Sequence, residues 1–248
     1  MNTPFNRQSL FITGTNTGVG KTTVTGALLL ALQQRGHSVA VIKPIETGFD
    51  PNKKDQSDTG LLRSLVSTVP SWEEICLYPY ETPLAPLACA RHSGISIDFT
   101  RILDHWRRVS DEVSFVLIEG AGGLLAPLTP TQTTKDLIAE LQVPCLVVGQ
   151  TSLGAVNHSL LTIESLHKSG LSTRGIILNE TTDPGESIGT WQQRTSTIEL
   201  IREFAPVPVF GPVGYEKHIH QNWREGVGTL AGHPEMQRLV TTLCQRVP

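Results

Sequence analysis

A chain of 248 residues, 39% hydrophobic and 17% charged, is long enough to bury a core and too apolar to stay unfolded. Its formal net charge of -3 gives no basic excess, which argues against nucleic acid as a partner, and no apolar run approaches the ~20 residues of a membrane span. Cys76, Cys89, Cys145 and Cys244 are widely spaced without a C-x-x-C pair, and MNTPFNRQ lacks the apolar stretch of a secretion signal, so a reducing, cytoplasmic setting is expected.

The expected elements alternate. SLFIT (9–13) reads as a buried strand, and GTNTGVGKTT (14–23) as a turn. A helix follows over 24–36 with Gly36 as its stop, then a strand in SVAVIK (38–43). Helical patterns follow at 58–66, 98–109, 134–141, 155–170 and 195–205, and continuous apolar strands at 113–120, 144–150, 174–179 and 206–213. Short buried strands alternating with helices predict a doubly wound α/β sheet covered on both faces. Two stretches, 71–94 and 179–193, read as loops, and no composition break marks a boundary, so a single domain over 1–248 is expected.

The turn at 14–23 carries the parts of a phosphate loop. Its glycines let backbone N–H groups point inward, a helix N-terminus follows, Lys21 is available to outer phosphates, and Thr22 offers a hydroxyl to magnesium. Five residues separate Gly14 from Gly20 where the strict pattern has four, so the turn is a variant.

Acids can complete a metal site. Glu119 ends a buried strand at the edge where such sheets bind ligands, and Asp58 opens a helix, where it reads equally well as an N-cap. Lys43 ends the second strand just before a polar turn, where its charge suits a developing anion. The eight histidines, with His218-Ile219-His220 among them, lack H-E-x-x-H spacing and a cysteine partner, so no histidine metal centre is expected.

Taken in order over roughly residues 9 to 213, GTNTGVGKT, KPIETG, SDTGLL, EGAGGLLAPL and SLGAVNHSLLTIESL resemble the dethiobiotin synthetases, whose own loop variant contains the extra residue. The resemblance implies a P-loop NTPase-like fold and a homodimer with its substrate site near the interface. It implies ATP-dependent carboxylation and ring closure of 7,8-diaminononanoate (7,8-diaminopelargonate) with CO2, through a carbamate and a carbamic–phosphoric mixed anhydride, with Mg2+ required. By the same resemblance Lys43 and Lys21 are catalytic, and Thr22, Asp58 and Glu119 hold the metal. Gly18, Val19, Gly20, Lys21, Thr22 and Thr23 meet the nucleotide phosphates, while Asn179, Pro208, Val209 and Gly211 meet the base. Thr17, Lys43, Thr47 and Gly122 line the diamine site, and Gly154, Ala155 and Asn157 hold the distal carboxylate across the dimer.

Three positions depart from some relatives: Gly18 and Pro212 stand where an acid is often found, and Glu180 where a base is. The rival class is an ATP-driven partitioning or site-placement switch. It would carry a further lysine early in the loop, where this chain has Thr15 and Asn16, and a GTPase would need an N-K-x-D that is absent.

Overall fold

The computed structural model describes residues 8–68, 70–183, 187–219 and 221–245. The first half runs β1 (Gln8–Gly14), α1 (Lys21–Gln34), β2 (Val39–Ile42), β3 (Ile45–Thr47), α2 (Asp58–Arg63), α3 (Trp72–Ile75), β4 (Tyr78–Tyr80), α4 (Pro86–Ser93) and α5 (Phe99–Ser110). The second runs β5 (Phe115–Glu119), α6 (Thr134–Leu141), β6 (Cys145–Gly149), α7 (Ala155–Lys168), β7 (Thr173–Asn179), α8 (Ile188–Phe204), β8 (Val209–Val213), α9 (Trp223–Ala231) and α10 (Pro234–Cys244).

Six strands form one sheet in the order β2-β5-β1-β6-β7-β8, every neighbouring pair parallel. The chain leaves β1 for β2 on one side and later crosses to β6 on the other. A crevice therefore opens at the carboxyl end of β1, the position at which open α/β sheets hold ligands.

Alternate residues of each strand feed opposite layers, as a period of two requires. Leu10, Ile12, Phe115, Leu117, Leu146 and Val148 pack with α1, α9 and α10. Phe11, Val116, Ile118, Cys145 and Val147 pack with residues of α5, α6 and α7 on the other face. Phe11 is wholly buried, and a side chain of that size contributes roughly 2–3 kcal/mol by leaving water.

All the expected strands are present, and the structure adds what the sequence reading left out. The 71–94 stretch holds α3, closed by a capping box between Ser71 and Glu74, then β4, which pairs in parallel with β3, then α4. The later expected loop already turns helical at Ile188, and α9 and α10 cover α1. The helix expected to reach Val66 stops at Arg63. No helix among the described residues is long and apolar enough to cross a membrane.

Candidate active site

β1 ends at Gly14, and the loop after it is tied to the sheet by Thr15 N–H donating to Val148 O at 2.9 Å. Gly20 caps α1 with φ of +85° and no side chain caps the helix, which leaves its amino end open to an anion. A Cβ at Gly20 would lie 2.1 Å from Asn179 Nδ2, which donates to Val19 O at 3.1 Å. The end of β7 therefore clamps the loop, and only glycine fits beneath the clamp. Lys21 is buried, with Nζ donating to Asn16 O at 3.2 Å. Burial pushes its pKa down to about 8, with the Lys43 charge adding to the fall and Glu119 and Asp58 opposing it.

Lys43, at the end of β2, lies between two carboxylates. Its Nζ is 2.6 Å from Glu119 Oε1 and 2.9 Å from Asp58 Oδ2, and Thr22 Oγ1 donates to the same Glu119 oxygen at 2.8 Å. Burial alone would drive the Lys43 proton off. The charges of Glu119 and Asp58, together with the hydrogen bonds to them, outweigh that penalty and hold the pKa above the ordinary lysine value. For Asp58, burial raises the carboxyl pKa, but the adjoining Lys43 charge and hydrogen bonds from Lys43 and Thr22 more than offset it, leaving it below the usual range. Glu119 Oε2 is buried without a hydrogen-bond partner, so the carboxylate keeps an unused donor atom beside Thr22 and Asp58.

The cap of α2 is Ser57, whose Oγ accepts from Gly60 N–H at 3.1 Å, so the N-cap reading of Asp58 gives way to a carboxylate directed at Lys43. Sequence reasoning missed Glu46. This residue of β3 is buried, with Oε1 accepting from Asp58 N–H at 2.8 Å and Oε2 from Thr59 N–H at 3.0 Å and Thr59 Oγ1 at 2.5 Å. Burial raises its pKa, against the lowering effect of the Thr59 hydroxyl.

A cavity of about 580 Å3 brings together Thr17, Gly18, Gly20, Lys21, Thr22, Thr23, Lys43, Thr47, Asp58 and Gly122 from five separate stretches of chain. Glu119 is not in the cavity wall but is hydrogen-bonded to two residues that are, Thr22 and Lys43. Gly122 has φ of +68°, and a Cβ there would come 3.8 Å from Thr17 Oγ1, so the turn after β5 lies against the phosphate loop. A smaller cavity of about 200 Å3 lies beside Asn179, with Glu180, Thr181, Gln150 and Arg194 in its wall. Glu180 accepts from Thr151 Oγ1 at 3.1 Å and pairs with the Arg194 guanidinium of α8.

Three expected contacts are not gathered around either cavity in the way the resemblance implied. Pro208 and Val209 stand at the amino end of β8, where Val209 is level with Ile176 and buried in the second core layer. Asn179 is level with Val213, and at about 3.3 Å per residue Val209 is over 10 Å further back along the strand. Gly211 is committed internally: its N–H donates to Glu235 Oε2 at 2.8 Å, and its carbonyl accepts from Arg202 at 2.9 Å. The strand end that faces the loop is Val213, whose carbonyl accepts from Glu180 N–H at 3.0 Å. Pro208, Val209 and Gly211 therefore lie back from the strand end that faces the loop. Gly154, Ala155 and Asn157, expected to act across a dimer, stand at the amino end of α7, where Gly154 has φ of +89°, Ala155 is buried and Asn157 is exposed, and none of the three lines the larger cavity of the same chain.

No group of three or more His, Cys, Asp or Glu side chains among the described residues could hold a metal ion alone, and His220 lies outside the described residues.

Residues 8–222 match the AAA domain family AAA_26. The ATP-dependent dethiobiotin synthetase BioD of Anaeromyxobacter sp. (strain K) is 44% identical over 174 residues, 70% of this chain and 77% of that protein. That of Bacillus velezensis is 34% identical over 86% of this chain and 88% of its own, and that of Methanococcus vannielii is 33% identical over 85% and 95%. Among solved structures, the MinC:MinD cell division protein complex of Aquifex aeolicus aligns with a TM-score of 0.60 at 14% identity over 97% of both chains. Apo McdA from Cyanthece aligns at 0.57 and 17%, over 96% of this chain and 98% of its own. At such identities these two attest the P-loop NTPase fold alone. With a P-loop fold of this topology and relatives at this identity over most of its length, the chain belongs to the ATP-dependent dethiobiotin synthetase family.

Proposed function

We propose that the chain joins CO2 to 7,8-diaminononanoate and closes the ureido ring at the expense of ATP, giving dethiobiotin, ADP and phosphate. The observation that carries this is the common wall shared by an open helix amino end, Lys21 and Lys43 in one cavity of about 580 Å3. Such a cavity has room for a triphosphate tail and a small diamine side by side.

One substrate amine attacks CO2 and sheds a proton to give the carbamate. A carbamate oxygen then attacks the γ-phosphorus as the bond to ADP breaks, and the second amine attacks the carbamoyl carbon and expels phosphate. No step needs an enzyme nucleophile, so the residues position and neutralise. Lys21 and the amide groups of residues 18 to 23 hold the phosphates. Lys43 leaves its carboxylates to bear on the carbamate and the transferring phosphoryl group, while Thr17, Thr47 and Gly122 hold the diamine.

Thr22, Asp58 and Glu119 would hold Mg2+, supported by the orphaned Glu119 Oε2 and by a small set of hard oxygen ligands. Such an ion would supply charge neutralisation to the reacting phosphates. Asn179, whose Oδ1 is also buried and unpartnered and which is level with Val213 at the end of β8, suits the amino group of a base, with the residues after Val213 as candidates for its other contacts.

The amino end of α7 lies outside the cavity of its own chain, and the neighbouring Leu153 is 91% exposed, with Leu161 also exposed two turns along. This supports a homodimer in which Gly154, Ala155 and Asn157 receive the distal carboxylate from across the interface. The free cysteines suit a reducing, cytoplasmic compartment. In the test, phosphate release from MgATP is followed with and without diamine and bicarbonate. Release that needs both supports the reading, and release indifferent to the diamine overturns it in favour of a switch ATPase.

A further inference from the structure

We propose that Glu46 is a positioning residue for the reaction, holding Asp58 in the place from which its carboxylate receives the metal. This rests on the metal reading of Asp58 given above. Glu46 lies on the cavity wall beside Thr47, and a carboxylate there invites a role in binding the diamine. Its hydrogen bonds argue otherwise. Oε1 is taken by the Asp58 N–H, and Oε2 by the Thr59 N–H and hydroxyl, so both oxygens are committed to the first two residues of α2.

The need for such an anchor follows from the size of the helix. α2 has six residues, which is below the length at which a helix holds itself together, and Ser57 satisfies only the Gly60 amide. With the Asp58 and Thr59 amides bound to a buried carboxylate, the first turn is fixed to β3, two residues beyond the Pro44 that follows Lys43. The Asp58 side chain is 43% exposed and has little packing of its own, so the backbone anchor and the Lys43 contact set its direction. Charge assists, because a carboxylate at a helix amino end meets the positive end of the dipole.

Glu46 thus links the strand that carries Thr47, on the substrate side, to the helix that carries Asp58, on the metal side. Without it the α2 end loses its anchor, and Asp58 turns to solvent while Thr22 and Glu119 remain in place. Asp58 then contributes little to the metal site, although the residue itself is intact.

The test is a double-mutant cycle read by electron paramagnetic resonance of Mn2+ bound to the protein–ADP complex, which requires no turnover. Asp58→Ala is expected to weaken Mn2+ binding by roughly tenfold or more, Glu46→Ala by roughly fivefold, and the double variant no more than Asp58→Ala alone. Glu46→Gln keeps one acceptor and turns a donor toward the other amide, so it falls between Glu46→Ala and the parent, and it carries the comparison if Glu46→Ala does not fold. Parental Mn2+ affinity in the Glu46 variant with only a lowered melting temperature overturns the proposal, as does a full additional loss on top of Asp58→Ala. Unchanged Mn2+ affinity in Asp58→Ala itself overturns the metal reading and this inference with it.

Discussion

The Lys43 ammonium, on the cavity wall, stands 2.6 Å from the buried Glu119 Oε1 and 2.9 Å from Asp58 Oδ2. A cation held by Glu119 and Asp58 in the proposed site would compete with the ammonium for these carboxylates, and a released ammonium would bear on the reacting anion. Metal loading and the freeing of Lys43 would then be coupled.

Lys43→Met separates the two roles. Removing the ammonium leaves Glu119 buried without its cation, so stability falls by about 3 kcal/mol in metal-free buffer. Mg2+ with ADP restores a larger part of the melting temperature in the variant than in the parent. Turnover falls by roughly a hundredfold or more while ADP affinity stays near the parental value. Thermal melts with and without the metal, set beside steady-state rates, check all three.

Gly20→Ala tests the clamp of Asn179 over the loop. The side chain would need φ of +85° and would meet Asn179 Nδ2 at 2.1 Å, so the loop must open. The expected cost is about 1–3 kcal/mol of stability together with loss of measurable nucleotide binding. Gly18→Ala, with φ of +74° but open space around it, costs only about 1 kcal/mol and keeps binding. Calorimetric titration with ADP distinguishes them.

The two lysines have opposite pH signatures. Lys21 is held down to about 8 by burial, so between about 8 and the unfolded value of 10.5 the unfolded chain binds more protons. Stability of the nucleotide-free protein therefore rises with pH across that window, by up to about 3 kcal/mol if no other group intervenes. The Lys43 pKa is raised instead, so its contribution is fully present below 10.5 and is lost only above it. Urea unfolding at pH 7.5 and 9.5 shows the rise in the parent, and Lys21→Met removes it.

Asn179→Ala deletes the hydrogen bond to Val19 O and the unpartnered Oδ1 in one step. The KM for ATP is expected to rise by roughly tenfold, because a buried polar contact of this kind is worth ~1.4 kcal/mol. Pro208→Ala, at the far end of β8, leaves KM unchanged. Initial rates across an ATP series compare the two.

Most of the sheet was legible because a strand covered on both faces must be apolar throughout. SLFIT, VSFVLIE and PCLVVG announce themselves in this way. The phosphate loop and Lys43 were legible for a related reason, since both sit where a buried strand breaks into a polar turn. Glu46 was not legible. Nothing in IETG indicates that a helix amino end twelve residues later returns to it. α9 and α10 carried a signal that went unread: Val227, Leu230 and Ala231, then Met236, Leu239, Val240 and Leu243, recur at helical spacing among residues that otherwise look like a polar tail. The level of Pro208 and Val209 along β8 was not legible either, because only pairing with β7 fixes it.

The most direct measurement uses the protein with 7,8-diaminononanoate, 13C-bicarbonate and MgATP, and reads the product by mass spectrometry alongside released phosphate. The account predicts a cyclic urea that carries the 13C at its carbonyl carbon, formed one for one with phosphate. Phosphate without a labelled ring, or release at the same rate when the diamine is left out, would contradict it.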